Sequence, residues 1–534
     1  MSLLEKNWEK YIRAALFLLL LLQFGLIAVS NLTLIKNSLD TDTARMFNHI
    51  AEIRRQGTIF LPEWDYQSVS TLEWDCSSLF ALPIYALTHR LFLSYGLSNI
   101  LFVGIFTGIV FFLFREEDSL YPLLCLNLIL IPYRTGMLDY YDMLFFGGAQ
   151  YIVKVSVPLL LEALISNLEK EAPGNGKMPR AVSLFTAVYL GLLFLTSVSS
   201  GIYVTASGIF PLLAVYLVYK FVKWEKIPPK ILLLAASSVI LVLAGRFFNQ
   251  AIMGGAKGDR MIFCTVPQLF ANAYSCFFGM FELFGGATLD LVPILSLDGL
   301  VLLAKCCLVI LMLVCGLLTA AKCIRKMPSG LSVPELRGLL LVSVFIWNVF
   351  ILLLTDTKAG SMTYEYRYHL IGMVPLLCVT GTFLADCPRK LSSAQQNILY
   401  GAGFCAVLFL CVMSHKVVFT QAKNHSDLET LCAYIDGYTQ EYALDYIYMY
   451  QSSRDSELCR VLAGNPFYLC LLQEGTTCAY DYYKYYAGGP MQTENVIVVV
   501  DDREYEIGED FEIAGHHLEK FDSVAHRSLY YFID

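Results

Sequence analysis

Apolar runs recur along most of the chain, separated by short polar linkers. They lie at about 14–30, 79–95, 98–114, 119–133, 143–166, 181–198, 201–219, 230–247, 291–320, 336–354, 370–386 and 396–419. Most are near the length of a bilayer-spanning helix, roughly 17 to 25 residues. Because the bilayer interior offers no water to backbone N–H and C=O groups, runs of this kind fold as helices. The sequence therefore predicts a polytopic α-helical membrane protein with about 11–12 membrane-spanning helices.

Composition agrees with this class and excludes others. Of the 534 residues, 56% are hydrophobic and only 16% are charged, which is unlike a soluble globular protein of this length. The net charge of -8 comes without a basic stripe, so we expect no nucleic-acid partner. The first run is too long and too uniform for a signal-peptide core, so we expect a retained helix.

The placement of Lys and Arg predicts the orientation, because cytoplasmic loops carry the excess of both residues. Lys6, Lys10 and Arg13 precede the first run, so the N-terminus is expected in the cytoplasm. The basic linkers, also expected there, are 167–180, 220–230, 321–337 and 386–396. Other linkers are aromatic, Gly-rich or acidic, and we expect them outside, together with the loop 35–78. They are 134–142, 248–290 and 355–369. Twelve full spans would return the tail to the cytoplasm, so either 79–95 or 119–133 is expected not to span.

The composition changes from about residue 421. Hydrophobic runs shorten and tyrosine becomes frequent. The patterns predict helices at 427–438 and 456–462 and strands at 445–450, 495–500 and 528–533. We therefore expect two domains: a transmembrane catalytic domain, 1–420, and a small extracytoplasmic α/β domain, 421–534. Four of the sixteen cysteines lie in the second domain, and disulfides there are possible, although the sequence does not give their pairing: Cys432, Cys459, Cys470 and Cys478.

The loop 35–78 is unusually rich in acids and aromatics for so apolar a chain. Asp40 and Asp42 stand where the chain leaves the membrane, and an amphipathic surface helix follows until Gly57. His49 is expected on the polar side of this helix. An Asp at a helix start can simply cap it, and this explanation suits one of the two acids.

Capping alone does not explain two acids that share the loop with further carboxylates. Those further acids are Glu63, Asp65, Glu73 and Asp75. A carboxylate at the bilayer surface can take a proton from an acceptor hydroxyl, or hold a divalent cation against a phosphate. The loop is therefore a candidate catalytic site.

Two further polar groups are expected on the same side. Asp139 and Asp142 start a helix, where capping and a metal or substrate role are equally good explanations. The segment 363–369 precedes a helix with Pro375, and its Arg367 suits a bidentate clamp for a lipid phosphate; an interfacial aromatic belt is the alternative. The residues expected beside this anion are Tyr364, Glu365 and Tyr368, with Lys358 and Arg260 as weaker candidates.

This layout resembles the GT-C superfamily of integral membrane glycosyltransferases, which includes protein O-mannosyltransferases and the aminoarabinose transferase of lipid A. The features that carry the resemblance are the first-loop acids before a helix ending in Gly, the Asp-containing turn, the Glu-x-Arg-Tyr turn and the closing soluble domain. The family's first-loop acids are usually Asp-Glu or Glu-Asp, whereas this chain has Asp40-Thr41-Asp42, and the spacing to Gly57 favours Asp42. The family's Pro-Pro is absent, leaving Pro83.

The resemblance implies transfer of a sugar, with inversion, from a polyprenyl-phosphate donor to a glycan, lipid or protein acceptor on the extracytoplasmic face of a bacterial plasma membrane. Asp42 would be the base, with Asp40 and Asp139 supporting it or holding Mg²⁺ or Mn²⁺. Asp142, His49 and Lys358 would contact substrate. A transporter or flippase of lipid-linked sugars is the main alternative, and it would favour repeated halves and charges inside helices; a membrane scaffold leaves the loop acids unexplained.

Overall fold

A computed structural model describes residues 3–61, 64, 74–136, 139–170, 178–253, 262–288, 291–356, 365–387, 392–420, 425–478 and 489–533. Helices dominate its first four-fifths. They are α1 (Leu3–Thr33), α2 (Thr41–Gln56), α3 (Ser78–Thr88), α4 (Leu91–Leu113), α5 (Leu120–Ile129), α6 (Tyr140–Phe145), α7 (Ile152–Lys170), α8 (Arg180–Ser200), α9 (Phe210–Val222), α10 (Pro229–Met253), α11 (Val266–Leu283), α12 (Leu297–Lys326), α13 (Val333–Leu354), α14 (Leu370–Asp386), α15 (Ser393–Thr420), α16 (Ser426–Tyr442) and α17 (Ser453–Ala463).

Nine helical segments within the described residues are long and apolar enough to cross a membrane. They contain α1, α4, α8, α9, α10, α12, α13, α14 and α15. The 19-residue α7 is also of nearly spanning length, and it is buried from Ile152 to Leu168 although it carries Lys154 and Glu162. The chain is thus a multi-pass membrane protein, and α7 carries two charged residues among its buried side chains.

Residues 79–95 do not form one spanning helix. The 11-residue α3 ends at His89, which adopts a left-handed conformation with φ 55°. A helix of that length is only about 16 Å long, against about 30 Å of bilayer hydrocarbon. The chain bends at His89 and Arg90, and α4 begins immediately afterwards.

The segment after α4 crosses the bundle as a short helix with an irregular continuation. Its start and end both contact α1: Asp118 pairs with Arg13 at 2.6 Å, and Tyr141 hydrogen-bonds Ser30 at 2.6 Å. The 10-residue α5 covers only part of this path. The described part of 118–141 therefore runs beside α1 over much of its length, whereas α3 alone is too short to cross the hydrocarbon.

The predicted loop 248–290 contains a regular helix. The 18-residue α11 starts with a capping box between Thr265 and Gln268. Its Asn272 donates hydrogen bonds to the carbonyls of Leu353 and Thr355 at the end of α13, both at 3.1 Å. The sequence does not predict this helix, because aromatic and Gly residues around it are typical of loops.

A seven-stranded sheet forms the core of the C-terminal region. The strands are β1 (Tyr446–Tyr450), β2 (Tyr468–Leu471), β3 (Thr477–Cys478), β4 (Val496–Asp501), β5 (Asp510–Ile513), β6 (His516–Val524) and β7 (Arg527–Phe532), in the order β3-β2-β1-β4-β7-β6-β5. β1 is parallel to β2 and β4, and the other pairs are antiparallel. The predicted α/β character is confirmed, while β2, β3, β5 and β6 were not foreseen.

The sheet domain rests on the end of the bundle that carries α2. Lys36, just after α1, pairs with Glu429 of α16 at 2.9 Å. Asn48 of α2 donates to the Glu457 carboxylate of α17 at 2.8 Å. The helix α2 is therefore covered by the sheet domain on one side and by α3 and α4 on the other.

Candidate active site

The first-loop acids lie at the N-terminus of α2, and they have different local roles. Asp40 is the N-cap, and its carboxylate accepts the Thr43 backbone N–H at 2.7 Å. Asp42 sits in the first turn, and its side chain remains 33% exposed. At the other end, Gly57 caps the helix with φ 71°, as the sequence predicted. Capping thus accounts for Asp40 and leaves Asp42 unexplained.

Asp42 faces two guanidinium groups. Arg367 Nη1 donates to Asp42 Oδ2 at 3.3 Å, and Arg45 Nη1 lies 3.6 Å from Asp42 Oδ1. Arg45 follows Asp42 by three residues, which places both on one face of α2. This i,i+3 spacing is visible in the sequence and indicates the pair. The carboxylate is therefore held by two cations at an accessible position.

Arg367 lies in a short 3-10 turn before α14, and its charge is shared. Its Nε lies 2.5 Å from Glu365 Oε2, and its guanidinium stacks 5.7 Å from the centre of the Tyr368 ring. The Arg367 side chain is only 15% exposed. The structure thus brings together Asp42, Glu365, Arg367 and Tyr368, whereas Tyr364 and Lys358, with Arg260, lie outside the described residues.

Asp139 belongs to a second ionic group. Although it occupies the N-cap position of α6, its side chain makes no capping bond. Instead it pairs with Arg134 Nε at 3.1 Å and accepts the Tyr366 hydroxyl. Arg134 also pairs with Glu282 of α11 at 3.1 Å. The capping explanation therefore fails for Asp139, and Tyr366 joins its group to the turn that carries Arg367.

Asp142 is buried against a turn. Its Oδ2 accepts the Gly136 N–H at 3.0 Å, and only 9% of the residue is exposed. Burial raises its pKa well above the usual range, and the carboxylates of Asp139 and Asp40 raise it further. Asp142 thus holds Gly136 through a backbone hydrogen bond and does not face solvent.

Burial also affects the two neighbouring acids. The pKa of Asp40 is raised to about 6, chiefly by burial, and the Asp42 charge contributes while the Thr43 N–H opposes it. The pKa of Asp139 is raised by burial, against the effect of Arg134. Asp40 interacts electrostatically with both Asp42 and Asp142. The first-loop acids and the acids of α6 therefore influence one another.

His49 lies in the protein interior rather than on a polar surface. It is 4% exposed, and its ring lies 4.6 Å from that of Trp64 and 5.8 Å from that of Trp74. Burial, with help from Arg45, lowers its pKa to about 3. The expected position of His49 on the solvent side of the helix is therefore wrong, because α2 is covered on two sides.

A buried cation lies near the Arg367 turn and was not foreseen. Lys154 of α7 pairs with Asp75 at 3.2 Å, and Ser200 donates to the other Asp75 oxygen at 2.7 Å. The Lys154 ammonium lies 5.3 Å from the centre of the Tyr151 ring. Tyr151 in turn interacts electrostatically with Arg367. A lone Lys in an apolar run is the sequence signal that could have found it.

A cavity of about 610 Å³ opens beside the second half of α2. Arg54 and Arg55 line one wall, His89 lines another, and the end of α17 from Arg460 to Pro466 closes it. Along a helix of 1.5 Å rise per residue, Arg54 lies about 18 Å from Asp42. The space is therefore a neighbour of the acidic site and separate from it.

The expected metal group is not assembled. Within the described residues no cluster of three or more His, Cys, Asp or Glu side chains is placed to hold a metal ion. Asp40 bonds the backbone, Asp42 faces Arg45 and Arg367, and Asp139 pairs with Arg134. Each of the three carboxylates proposed as ligands thus already has a donor partner, which leaves a poor fit for Mg²⁺ or Mn²⁺.

The site therefore combines one accessible carboxylate with an adjacent guanidinium. A carboxylate can accept a proton from a hydroxyl, and a guanidinium suits the oxygens of a phosphate. Together they suit a reaction in which a nucleophilic hydroxyl loses a proton while a phosphate departs.

The fold recurs in solved structures, although no protein-family description and no curated protein sequence matches the chain. ArnT from Cupriavidus metallidurans in the apo state aligns with TM-score 0.56 at 9% identity, over 96% of this chain and 97% of that chain. ArnT bound to undecaprenyl phosphate aligns with TM-score 0.51 at 11% identity over the same shares, 96% and 97%. The Archaeoglobus fulgidus oligosaccharyltransferase in complex with Zn and sulfate aligns with TM-score 0.50 at 13% identity, over 91% and 68%.

These neighbours are members of the GT-C fold, so the chain has that fold. The resemblance inferred from the sequence is thereby confirmed at the level of architecture. Because the identities are only 9% to 13%, the likeness carries no substrate and no residue role.

Proposed function

We propose that the protein is a membrane glycosyltransferase that moves a sugar from a polyprenyl-phosphate donor to an acceptor hydroxyl on the extracytoplasmic face. The observation that carries the proposal is the contact between the accessible Asp42 carboxylate and the Arg367 guanidinium, 3.3 Å apart, in a GT-C fold. One of the fold neighbours, ArnT, was solved with undecaprenyl phosphate, which supports a polyprenyl-linked donor.

In this proposal Asp42 is the general base. Its carboxylate takes the proton of the acceptor hydroxyl as the acceptor oxygen attacks the anomeric carbon of the donor sugar. Attack comes from the face opposite the sugar–phosphate bond, so that bond breaks, the configuration inverts and polyprenyl phosphate leaves with the electron pair. Asp42 suits the role because it is accessible, whereas Asp40, Asp139 and Asp142 are 4% to 9% exposed.

Arg367 would hold the donor phosphate and stabilise the charge that develops on it. In the structure the Arg367 guanidinium contacts the carboxylates of both Asp42 and Glu365. A phosphate would compete for it, because arginine binds phosphate oxygens bidentately. The Asp42 carboxylate would then lose part of its positive surroundings and attract the acceptor proton more strongly. Donor binding would thus prepare the base.

The remaining acids would keep this pair in place. Asp40 caps the helix that carries Asp42. Asp139 holds Tyr366, the residue before Arg367, through its hydroxyl. The positive charge in this mechanism comes from Arg367 and Arg45, and no step requires a divalent cation.

The proposed orientation follows the sequence. The basic linkers would face the cytoplasm, and α2, the site and the sheet domain would face outside. The contacts Lys36–Glu429 and Asn48–Glu457 support the second part, because they put the sheet domain and α2 at the same end of the bundle. The acceptor would be a glycan, lipid or protein of the cell envelope, approaching from that side.

A reaction in detergent tests the proposal directly. The purified protein is incubated with a panel of synthetic polyprenyl-phosphate sugars and with membrane extract from cells that lack the protein. Release of free polyprenyl phosphate, together with a new sugar-bearing product found by mass spectrometry, is the expected result. Release in the absence of extract, with only free sugar formed, would identify a hydrolase instead.

The same assay separates the enzyme from a transporter or flippase of lipid-linked sugars. A micelle has no compartments, so a transporter would leave every donor in the panel intact. If no donor is consumed under conditions in which the protein stays folded, the glycosyltransferase proposal is wrong.

A further inference from the structure

Two cysteines of the sheet domain meet where α16 packs against α17. Cys432 lies on the buried face of α16 with Leu428 and Ile435, and Cys459 lies within α17; the two are 3% and 0% exposed. The Cys432 thiol reaches the Cys459 carbonyl at 4.0 Å. The adjacent Cys432 thiol, with burial, raises the pKa of the Cys459 thiol well above its usual range. The Cys432 sulfur thus lies beside Cys459 in the folded chain.

We propose that Cys432 and Cys459 form a disulfide in the mature protein. The bond would link α16 to α17 across 27 residues of sequence, a loop length at which a cross-link restricts the unfolded chain substantially. Both thiols would lose a proton and together give up two electrons to the disulfide of an extracytoplasmic oxidant, which is reduced to two thiols. Because both cysteines are buried after folding, the bond would form before α16 and α17 finish packing.

The cross-link would stabilise the part of the sheet domain that contacts α2. Glu457, two residues before Cys459, accepts a hydrogen bond from the Asn48 side-chain amide at 2.8 Å. Asn48 lies in α2, the helix that carries Asp42 in its first turn. A covalent tie between α16 and α17 would therefore stabilise the surface on which α2 rests. The proposal is independent of the reaction, since neither cysteine belongs to the Asp42–Arg367 site, but it rests on the proposed extracytoplasmic position of the sheet domain.

Mass spectrometry of the full-length chain tests the bond. Cells are treated with N-ethylmaleimide before lysis so that free thiols are trapped, and the purified protein is digested without reduction. The expected result is one cross-linked peptide that contains Cys432 and Cys459. Recovery of both residues as maleimide adducts, or of either joined to another cysteine, would overturn the proposal.

Two further arms test its geometry and its effect. Reduced protein in detergent, exposed to oxidised glutathione in mild denaturant and then returned to buffer, should regain the 432–459 link; failure to do so would contradict the pairing. Dithiothreitol should lower the apparent Tm of the wild-type protein by about 5 °C or more. Cys432→Ala and Cys459→Ala should each abolish this sensitivity to dithiothreitol, and an equal sensitivity in the variants would count against the bond.

Discussion

Replacing Asp42 by Asn removes the proposed base while changing the helix very little. The Asn side chain is nearly isosteric and can still accept a hydrogen bond from Arg367. Asp40 remains as the N-cap and keeps its bond to the Thr43 N–H. The variant therefore separates proton transfer from helix formation.

The expected loss of stability is small. Asp42 contributes two partly exposed ion pairs, to Arg367 and Arg45, and such pairs stabilise by about 0.2–1 kcal/mol each. An acid in the first turn adds about 0.3–1 kcal/mol through the helix dipole. The sum, about 0.7–3 kcal/mol, is below the roughly 5–15 kcal/mol by which proteins are typically stable. The Asp42→Asn protein should therefore fold.

The expected loss of activity is much larger. Removing a general base slows turnover by roughly a hundredfold or more, which corresponds to about 2.7 kcal/mol of barrier. A small loss of stability leaves the folded fraction almost unchanged, so it cannot produce an effect of that size. The measurement is the rate of polyprenyl-phosphate release from the donor that the wild-type protein accepts, at equal amounts of monodisperse protein.

Asp118→Asn is a matched control. Asp118 also pairs with a partly exposed arginine, Arg13, at 2.6 Å, but at the opposite end of α1. Asn can still accept the Leu120 N–H that Asp118 Oδ1 accepts at 3.0 Å, so the change chiefly removes one partly exposed ion pair and should leave turnover within about twofold. If Asp42→Asn retained normal turnover, Asp42 would not be the base; if Asp118→Asn lost as much as Asp42→Asn, the loss would reflect folding.

Four other outcomes are expected. Arg367→Lys should weaken donor binding at least tenfold in a competition assay with polyprenyl phosphate, because a planar fork is lost while the charge remains; unchanged affinity would remove Arg367 from the site. The pKa of Asp40 is raised to about 6, so the folded chain holds the Asp40 proton more tightly than the unfolded chain. The contribution of Asp40 to the free energy of unfolding should therefore fall by about 3 kcal/mol as pH rises from about 4 to 6. Asp40→Asn should flatten the pH dependence of Tm over this window. Chelation with EDTA should change turnover less than twofold, and a loss restored by Mg²⁺ or Mn²⁺ would assign a metal role. Cysteine placed at the exposed position Glu506 should react with an impermeant maleimide on intact cells, and cysteine at Lys226 should react only after permeabilisation; the reverse pattern would contradict the proposed orientation.

Local features were predictable from the sequence. The surface helix α2 was expected with its acidic start and its end at Gly57, because caps depend on neighbouring residues. The helices and three of the strands of the sheet domain were also expected, since their periodicity is strong. The missed strands are short, or polar on both faces, so their hydrophobic alternation is weak even where they pair with the adjoining strand in a hairpin.

Long-range pairings could not be predicted. Asp42 and Arg367 are 325 residues apart, and Tyr366 and Asp139 are 227 residues apart. The sequence showed that each group was polar and on the expected outer side, but not which group meets which. Likewise, Asn48 of α2 meets Glu457 of α17, which is 409 residues away in the chain. Helical periodicity describes one helix and does not reveal a domain that packs on its polar side.

The choice of Asp42 among four neighbouring acids depends on what each carboxylate already does. Asp40 is bonded to its own helix and is buried, so removal of its charge mainly affects α2. Asp139 accepts a hydroxyl and pairs with Arg134, and Asp142 bonds a backbone N–H. A base must meet an incoming hydroxyl and must be ionised when it does so. Asp42 alone among the four is accessible to solvent and is held by a guanidinium that a phosphate can bind. A donor that binds Arg367 would therefore free the Asp42 carboxylate from Arg367, so that it can accept the proton of the acceptor hydroxyl.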